Sequence, residues 1–222
     1  MDNLLAHFPA GATPRSEQAR LLAALGDALA ETEDDPGAPR VIVVEAPPGV
    51  GKSHIAMTLA RWSSDAYLLT SQKLLQDQYE REFGDELAVV KGRDNYLCER
   101  YHGAPVPTSR GMCRRVRGPI CGGPYVRAKQ RALSAPIFCT NTAYFATLRH
   151  WHAEQLRRRR LLIIDEAHNL ESQLVGVFTA RFSHDEMRAW FGGPLPRLPM
   201  ADDYRPILAG HAQRLEGGLE EV

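Results

Sequence analysis

A glycine-containing stretch at residues 45–53, with the sequence E-A-P-P-G-V-G-K-S, combines residue types that bind phosphate. Gly49 and Gly51 let the backbone curl so that its N–H groups point at phosphate oxygens, and Lys52 reaches the same phosphates. The Ser53 hydroxyl is a ligand of the kind that holds Mg²⁺ beside a bound triphosphate. The usual pattern has glycine where this chain has Ala46. We expect a phosphate-binding loop made of Pro48, Gly49, Val50, Gly51, Lys52 and Ser53.

A second polar segment, D-E-A-H at residues 165–168, directly follows the apolar run at residues 161–164. Asp165, at the carboxyl end of a strand, offers a carboxylate to Mg²⁺, and Glu166 is placed to polarise a water molecule that attacks a phosphate. His168 is expected to couple this site to neighbouring motifs. The two segments together predict a site that binds and hydrolyses a nucleoside triphosphate, with the catalytic residues Lys52, Asp165, Glu166 and His168.

Alternating strands and helices are needed to hold both segments on one sheet, and the spacing of apolar residues predicts them. Helices are expected at residues 16–29, after the glycine-containing stretch, and at residues 72–83 and 125–133. Short apolar runs predict strands at residues 41–44, 66–70, 87–90, 137–140 and 161–164. This order indicates an α/β fold with a mainly parallel sheet that is wrapped by helices.

The composition is that of an ordinary globular protein. The chain of 222 residues has 27 basic and 27 acidic residues, so no overall positive charge marks it as a nucleic-acid binder. Its N-terminus lacks a basic stretch followed by an apolar core, and no apolar run approaches the ~20 residues that span a bilayer. We therefore expect a cytoplasmic protein without a membrane partner.

The cysteines are clustered, since Cys98, Cys113, Cys121 and Cys139 are the four that the chain contains. In a reducing compartment such clustering indicates a metal more than disulfides. Residues 93–124 are also rich in Gly and Pro and lack periodicity, which predicts an inserted subdomain. The cysteine spacings contain no C-x-x-C pair, so zinc is disfavoured, and a metal-free insertion is a further alternative.

These motifs resemble those of superfamily 2 helicases, whose phosphate-binding loops often begin with Ala and whose second motif is D-E-x-H. More narrowly, the chain resembles the XPD/DinG-type iron-sulfur helicases. This resemblance is carried by L-L-T-S-Q-K-L-L-Q-D-Q at residues 68–78 and by V-K-G-R-D-N-Y-L-C at residues 90–98. It extends over residues 14–172, nearly three-quarters of the chain.

The resemblance implies a RecA-like P-loop NTPase domain with an inserted cysteine-containing subdomain. Residues 1–92 would be its first part, with a Q-like element, the Walker A loop and motif Ia, and residues 93–124 the iron-sulfur insertion. Residues 125–176 would be its second part, with motif Ib and the DEAH box. Residues 177–222 would start an arch-like region or form a truncated tail. The chain is thus expected to be an N-terminal portion that lacks the second RecA-like domain and its arginine finger.

The resemblance also implies roles for individual residues. Gln18, in P-R-S-E-Q at residues 14–18, would contact adenine through its amide. Contacts to the single-stranded DNA backbone would come from Thr70, Ser71, Lys73, Thr140 and Asn141. A [4Fe-4S] cluster would be held by Cys98, Cys113 and Cys121, with Cys139 or His102 as the fourth ligand. Cys139 is equally well explained as a small buried core residue.

The function that the resemblance implies is an ATP-dependent 5′-to-3′ DNA helicase, which couples ATP hydrolysis to translocation on single-stranded DNA and unwinding of forked DNA. Its cofactors would be ATP, Mg²⁺ and a [4Fe-4S] cluster. The alternative is a truncated, non-enzymatic module that binds nucleotide or single-stranded DNA. A P-loop signalling or metabolic kinase is a third hypothesis, and the strings at residues 68–78 and 90–98 argue against it.

Overall fold

The fold was determined as a computed structural model. It describes residues 3–30, 41–99, 106–111, 122–179, 185, 188–189, 200–207 and 209. The chain divides into two compact units, Met1–Phe178 and Thr179–Val222. The predicted domain limits at residues 92, 124 and 176 stay predictions.

Helices and strands alternate along the described part of the first unit, which confirms the α/β class. The helices are α1 (Ser16–Ala30), α2 (Lys52–Ser63), α3 (Lys73–Phe83), α4 (Pro124–Ser134), α5 (Thr142–Trp151) and α6 (Leu170–Phe178). The strands are β1 (Ala66–Thr70), β2 (Ala88–Val89), β3 (Ile137–Asn141) and β4 (Leu161–Ile164). Short 3-10 helices lie at Leu4–His7, Arg93–Asn95, Ala153–Gln155 and Ala167–Asn169.

The four strands form one sheet in the order β2-β3-β1-β4, and every pair in it is parallel. Thr70 lies opposite Asn141, and Leu69 lies opposite Ile164. Because the strands are parallel, the residues that follow them meet at the same edge, where α/β proteins bind their ligands. We call this the carboxyl edge of the sheet.

Helices cover both faces of the sheet. On one face, Met57 of α2 and Tyr79 and Phe83 of α3 pack with Leu68 and Cys139. On the other face, Tyr125 of α4 and Leu148 of α5 pack with the neighbouring residues Tyr67 and Phe138. Successive residues of a strand point to opposite faces, so each strand contributes to both clusters. Every residue of β1 is buried, as a strand covered on both faces should be.

Residues 41–44 do not form the strand that the sequence predicts. Val41 and Val43 are each 86% exposed, and Ile42 and Val44 are each 39% exposed. No strand in the described part of the chain pairs with this segment. The prediction was wrong because apolar, β-branched residues favour a strand locally, whereas a strand must also pair with a neighbour, and this segment pairs with none of the described strands.

Arg159 supports the fold from the basic run that precedes β4. Its side chain is only 1% exposed. The guanidinium donates to the carbonyl oxygens of Ala135 at 2.7 Å and Pro136 at 2.6 Å, and it lies 4.8 Å from the centre of the Tyr67 ring. These contacts tie the end of α4 to the sheet, so this arginine is structural.

The described residues of the second unit include the 3-10 helix Ala201–Tyr204. The Met200 backbone N–H donates to the Asp203 carboxylate at 3.1 Å, which caps this helix. Across all the described residues of the chain, none of the helices has the length and apolar character that crossing a membrane requires.

Candidate functional site

The glycine-containing stretch forms a turn that leads into α2. Gly49 has a φ of +84° and Gly51 a φ of +86°, a left-handed conformation that glycine adopts without steric cost. Gly51 is the N-cap of α2, so the free N–H groups of the first helical turn lie beside the loop. Pro48 is exposed, whereas Val50 packs against an apolar cluster. Such a turn at a helix N-terminus is chemically suited to an anion.

Residues 14–18 hold this loop from outside. The Arg15 guanidinium donates to the Gly49 carbonyl oxygen at 2.7 Å, and the Gln18 amide nitrogen donates to that of Gly51 at 3.3 Å. The Gln18 side-chain oxygen in turn accepts from the Arg15 N–H at 2.9 Å. Gln18 is buried and both ends of its amide have partners within the protein. It therefore shapes the loop, and its predicted contact with adenine stays a prediction.

The side chain of Lys52 reaches back to the start of the glycine-containing loop. Its ammonium group donates to the carbonyl oxygen of Ala46 at 3.2 Å. The lysine thereby links the first helical residue of α2 to the start of the loop. Burial raises the pKa of Asp165, and the positive charge of Lys52 acts against that increase.

The acidic pair lies at the carboxyl edge, directly after β4. The Asp165 N–H donates to the Leu69 carbonyl oxygen at 2.8 Å, which extends the pairing of β4 with β1 by one residue. One carboxylate oxygen of Asp165, Oδ1, accepts from the Glu166 N–H at 3.0 Å. The other, Oδ2, accepts from the Tyr79 hydroxyl at 3.0 Å. Both oxygens of this carboxylate are therefore fixed by hydrogen bonds.

Glu166 has a strained backbone conformation. Its φ of +55° lies in the left-handed region, which costs a residue with a Cβ roughly 1–2 kcal/mol. Its carboxylate lies 3.2 Å from Nδ1 of His168, which is exposed. Strain of this kind concentrates at functional sites, where the surrounding structure maintains it.

Burial raises the pKa of Asp165 above its ordinary value. The hydrogen bond from Tyr79 acts in the opposite direction, while the nearby Glu166 carboxylate raises the pKa further. Burial also strongly raises the pKa of the Tyr79 phenol. Tyr79 therefore stays protonated and can act as a hydrogen-bond donor to the carboxylate at neutral pH.

Tyr79 connects the two polar segments, and the sequence analysis did not identify it. Its hydroxyl donates to Asp165 at 3.0 Å, and the Ser53 side chain lies near the same phenol. A signal was available, because Tyr79 lies on the buried face of α3 with Gln76 and Phe83. A buried tyrosine hydroxyl normally requires a polar partner, which directs attention to whatever lies opposite it.

The five residues predicted to contact DNA lie on or just after β1 and β3, whose carboxyl ends are adjacent. Thr70 and Thr140 are fully buried, and their hydroxyls donate to the carbonyl oxygens of Gln72 at 3.3 Å and Val90 at 2.8 Å. The hydroxyls of these two threonines therefore organise the edge internally.

The other three predicted DNA contacts are more accessible. Lys73 is exposed, and Ser71 and Asn141 are half-buried. The Asn141 side chain accepts from the Tyr144 N–H at 2.7 Å and so caps α5. The Ser71 carbonyl oxygen accepts from the Gln173 amide at 3.1 Å, which joins this segment to α6.

The string at residues 90–98 fastens the start of the predicted insertion to the fold. Lys91 lies between two carboxylates of α3, with its ammonium 2.6 Å from Asp77 and 2.5 Å from Glu80. The guanidinium of Arg93 lies 5.2 Å from the centre of the Tyr125 ring of α4. The string therefore connects α3 to α4 at the base of this region.

Cys98, the last residue of this string, lies next to a short antiparallel pairing with the segment around Pro107. Its N–H donates to the Val106 carbonyl oxygen at 2.9 Å, next to a bridge between Leu97 and Pro107. The chain passes close to this cysteine again at Gly111, where an added Cβ would lie 2.8 Å from the Cys98 sulfur. Cys98 is thus buried and closely surrounded.

Cys139 occupies the middle of β3, where it is fully buried with Leu68 and Met57. Burial raises the pKa of its thiol to about 12. Cys113, Cys121 and His102 lie outside the described residues. Within the residues that are described, no group of three or more His, Cys, Asp or Glu side chains could hold a metal ion.

The structure thus places Asp165 and Ser53 beside Tyr79 at the carboxyl edge, and the charges of Lys52 and Glu166 act on the same Asp165 carboxylate. A scan against models of known protein families gives no match, and a search of curated proteins gives none either. The geometry of the site and the motifs of the sequence are therefore the grounds on which a function can be argued.

Proposed function

We propose that this chain is the ATP-binding motor portion of an XPD/DinG-type 5′-to-3′ DNA helicase, built on a RecA-like domain. The observation that carries the proposal is the Tyr79 hydroxyl, which has Asp165 and Ser53 as its polar neighbours. It joins the glycine-containing turn before α2 to the acidic pair after β4. These two segments are distant in the sequence, and a nucleoside triphosphate site requires both of them.

Each residue of the proposed site has a distinct task. The N–H groups around Gly49 and Gly51, together with the Lys52 ammonium, bind the phosphates of ATP. Ser53 and Asp165 would hold Mg²⁺, which would neutralise charge on the β- and γ-phosphates. Glu166 orients the attacking water, and His168 helps to position Glu166 through their contact at 3.2 Å. A second RecA-like domain supplies the arginine finger, worth about 10³ to 10⁵ in rate in related NTPases.

DNA binding is proposed for the same edge of the sheet. Ser71 and Lys73 contact phosphates of the single strand, because a hydroxyl and an ammonium group are suited to that task. The bond from Gln173 to Ser71 links this segment to α6, which follows the acidic pair. The cysteine region would hold the [4Fe-4S] cluster through Cys98, Cys113 and Cys121. The close packing of Gly111 on Cys98 supports a fixed position for the first of these ligands.

The second candidate function is a module that binds nucleotide or single-stranded DNA without turnover. It is favoured by residues 41–44, which lead into the phosphate-binding loop but remain exposed and outside the sheet. A loop that is not joined to the sheet by a preceding strand can still bind phosphate through the N-terminus of α2. Residues 41–44 do not form that strand.

ATP hydrolysis by the purified chain separates these functions. We expect slow hydrolysis that single-stranded DNA stimulates and that Lys52→Ala abolishes. Lys129→Ala, which removes a lysine of α4, is the matched control and should leave the rate unchanged. Nucleotide binding without turnover would favour the binding module, and a chain that binds neither nucleotide nor single-stranded DNA would contradict both functions.

A further inference from the structure

Tyr79 is held rigidly by its surroundings. It is among the largest fully buried side chains of the described residues, and its ring lies 6.0 Å from that of Phe83. It belongs to the core cluster that also contains Met57, Leu68 and Cys139. Because dense packing fixes the ring, the position of its hydroxyl at the site is fixed as well.

The Asp165 carboxylate is held at both oxygens. The backbone N–H of Glu166 donates to Oδ1, and the Tyr79 hydroxyl donates to Oδ2, each at 3.0 Å. A carboxylate has about four lone-pair sites, so one bond at each oxygen leaves room for a cation. Of the two donors, the backbone N–H belongs to the next residue in the chain, whereas the Tyr79 hydroxyl belongs to α3. Tyr79 therefore ties the carboxylate to the rest of the fold.

We propose that Tyr79 is a positioning residue for the Mg²⁺ of the proposed ATP site, and this inference rests on the proposed function. Its hydroxyl fixes the orientation of the Asp165 carboxylate relative to the Ser53 hydroxyl, so that both ligands meet one cation. Tyr79 acts through these ligands and does not itself touch the metal. Loss of such an outer partner typically weakens metal binding 10- to 100-fold.

The test removes only the hydroxyl, in Tyr79→Phe. Tyr67→Phe is the matched control, because Tyr67 is also buried and donates one hydrogen bond, at 2.8 Å to the Arg157 carbonyl oxygen, away from the site. Fluorescent ATP carrying a methylanthraniloyl group is bound to each full-length variant, first in EDTA and then during a Mg²⁺ titration. We expect Tyr79→Phe to weaken the Mg²⁺ dependence ~10-fold and to leave binding in EDTA unchanged. The control should match the wild type in both measurements.

Two results would overturn the role proposed for Tyr79. It is overturned if Tyr79→Phe matches Tyr67→Phe in its Mg²⁺ dependence. It is also overturned if Tyr79→Phe weakens binding equally in EDTA and Mg²⁺, with a lower melting temperature, because that result indicates general destabilisation. In an Asp165→Asn background the additional Tyr79→Phe change should have no further effect, since Tyr79 acts through the carboxylate.

The same titration separates this inference from the proposed function. A wild-type chain that binds no nucleotide under either condition would overturn both. If the wild type binds Mg²⁺-nucleotide and Lys52→Ala does not, while Tyr79→Phe behaves as the wild type, only the role of Tyr79 is overturned.

Discussion

Substituting alanine for Gly51 tests how residues 14–18 support the glycine-containing loop at residues 45–53. Gly51 has a φ of +86°, and a Cβ there would lie 2.4 Å from the Gln18 amide nitrogen. Gly49 has nearly the same φ, +84°, but a Cβ there would meet nothing within 4 Å. The two glycines therefore form a matched pair: both impose backbone strain when substituted, and only one forces Gln18 to move.

The expected magnitudes follow from these contacts. Left-handed φ costs an alanine roughly 1–2 kcal/mol, so Gly49→Ala should lower the free energy of unfolding by about that amount. Gly51→Ala carries the same strain and also displaces Gln18, which is buried and hydrogen-bonded at both ends of its amide. Each such bond contributes about 0.5–1.5 kcal/mol net. With both bonds lost, the total for Gly51→Ala is about 2–5 kcal/mol.

Urea unfolding of the two variants measures the difference, and a double-mutant cycle assigns its cause. In a Gln18→Ala background the collision is absent, so the cost of Gly51→Ala should fall to that of Gly49→Ala. Equal costs for the two glycine variants in the wild-type background would refute the reasoning. So would an excess cost for Gly51→Ala that persists after Gln18 is removed.

Two further predictions concern the acidic pair and the cysteines. In urea unfolding, Glu166→Gly should have a free energy of unfolding about 1 kcal/mol higher than that of Glu166→Ala, because only glycine relieves the strain at a φ of +55°. Equal stability of the two variants would contradict this explanation. Cys139→Ala should cost about 1 kcal/mol in unfolding free energy and leave the iron and sulfide content of anaerobically purified protein unchanged, because its buried thiol has a pKa raised to about 12. Iron lost on Cys139→Ala but kept in Leu68→Ala, a core variant beside it, would instead identify Cys139 as a cluster ligand.

Local sequence patterns predicted most of the secondary structure. The predicted strand at residues 161–164 has the same limits as β4, and the predicted helix at residues 16–29 falls one residue short of α1. The helix has a clear period of apolar residues, and the strand is a short, continuous apolar run between polar segments; a single sequence carries both signals. The parallel sheet could also be predicted from the sequence, because strands that alternate with helices have few other arrangements available to them.

The interactions that organise the site could not be predicted in the same way. The bond from Tyr79 to Asp165 joins residues 86 positions apart, and the bond from Gln18 to Gly51 joins residues 33 positions apart. Such pairs depend on how helices pack on the sheet, which periodicity does not specify. For the same reason the exposure of residues 41–44 was missed, since their local pattern is that of a buried strand and only the absence of a paired neighbour among the described strands distinguishes them.

The two ends of the proposed phosphate-binding loop are supported differently, and this bears on the function proposed for the chain. At its C-terminal end the loop continues into α2, and Arg15 and Gln18 hold its glycine carbonyl groups. At its N-terminal end, residues 41–44 have no strand partner within the described chain. Under the proposed function, phosphate binding depends on the loop N–H groups and Lys52, so the supported end is sufficient for it. Coupling hydrolysis to movement of the sheet requires the other end as well. Nucleotide affinity should therefore be less sensitive to substitutions in residues 41–44 than ATP turnover is.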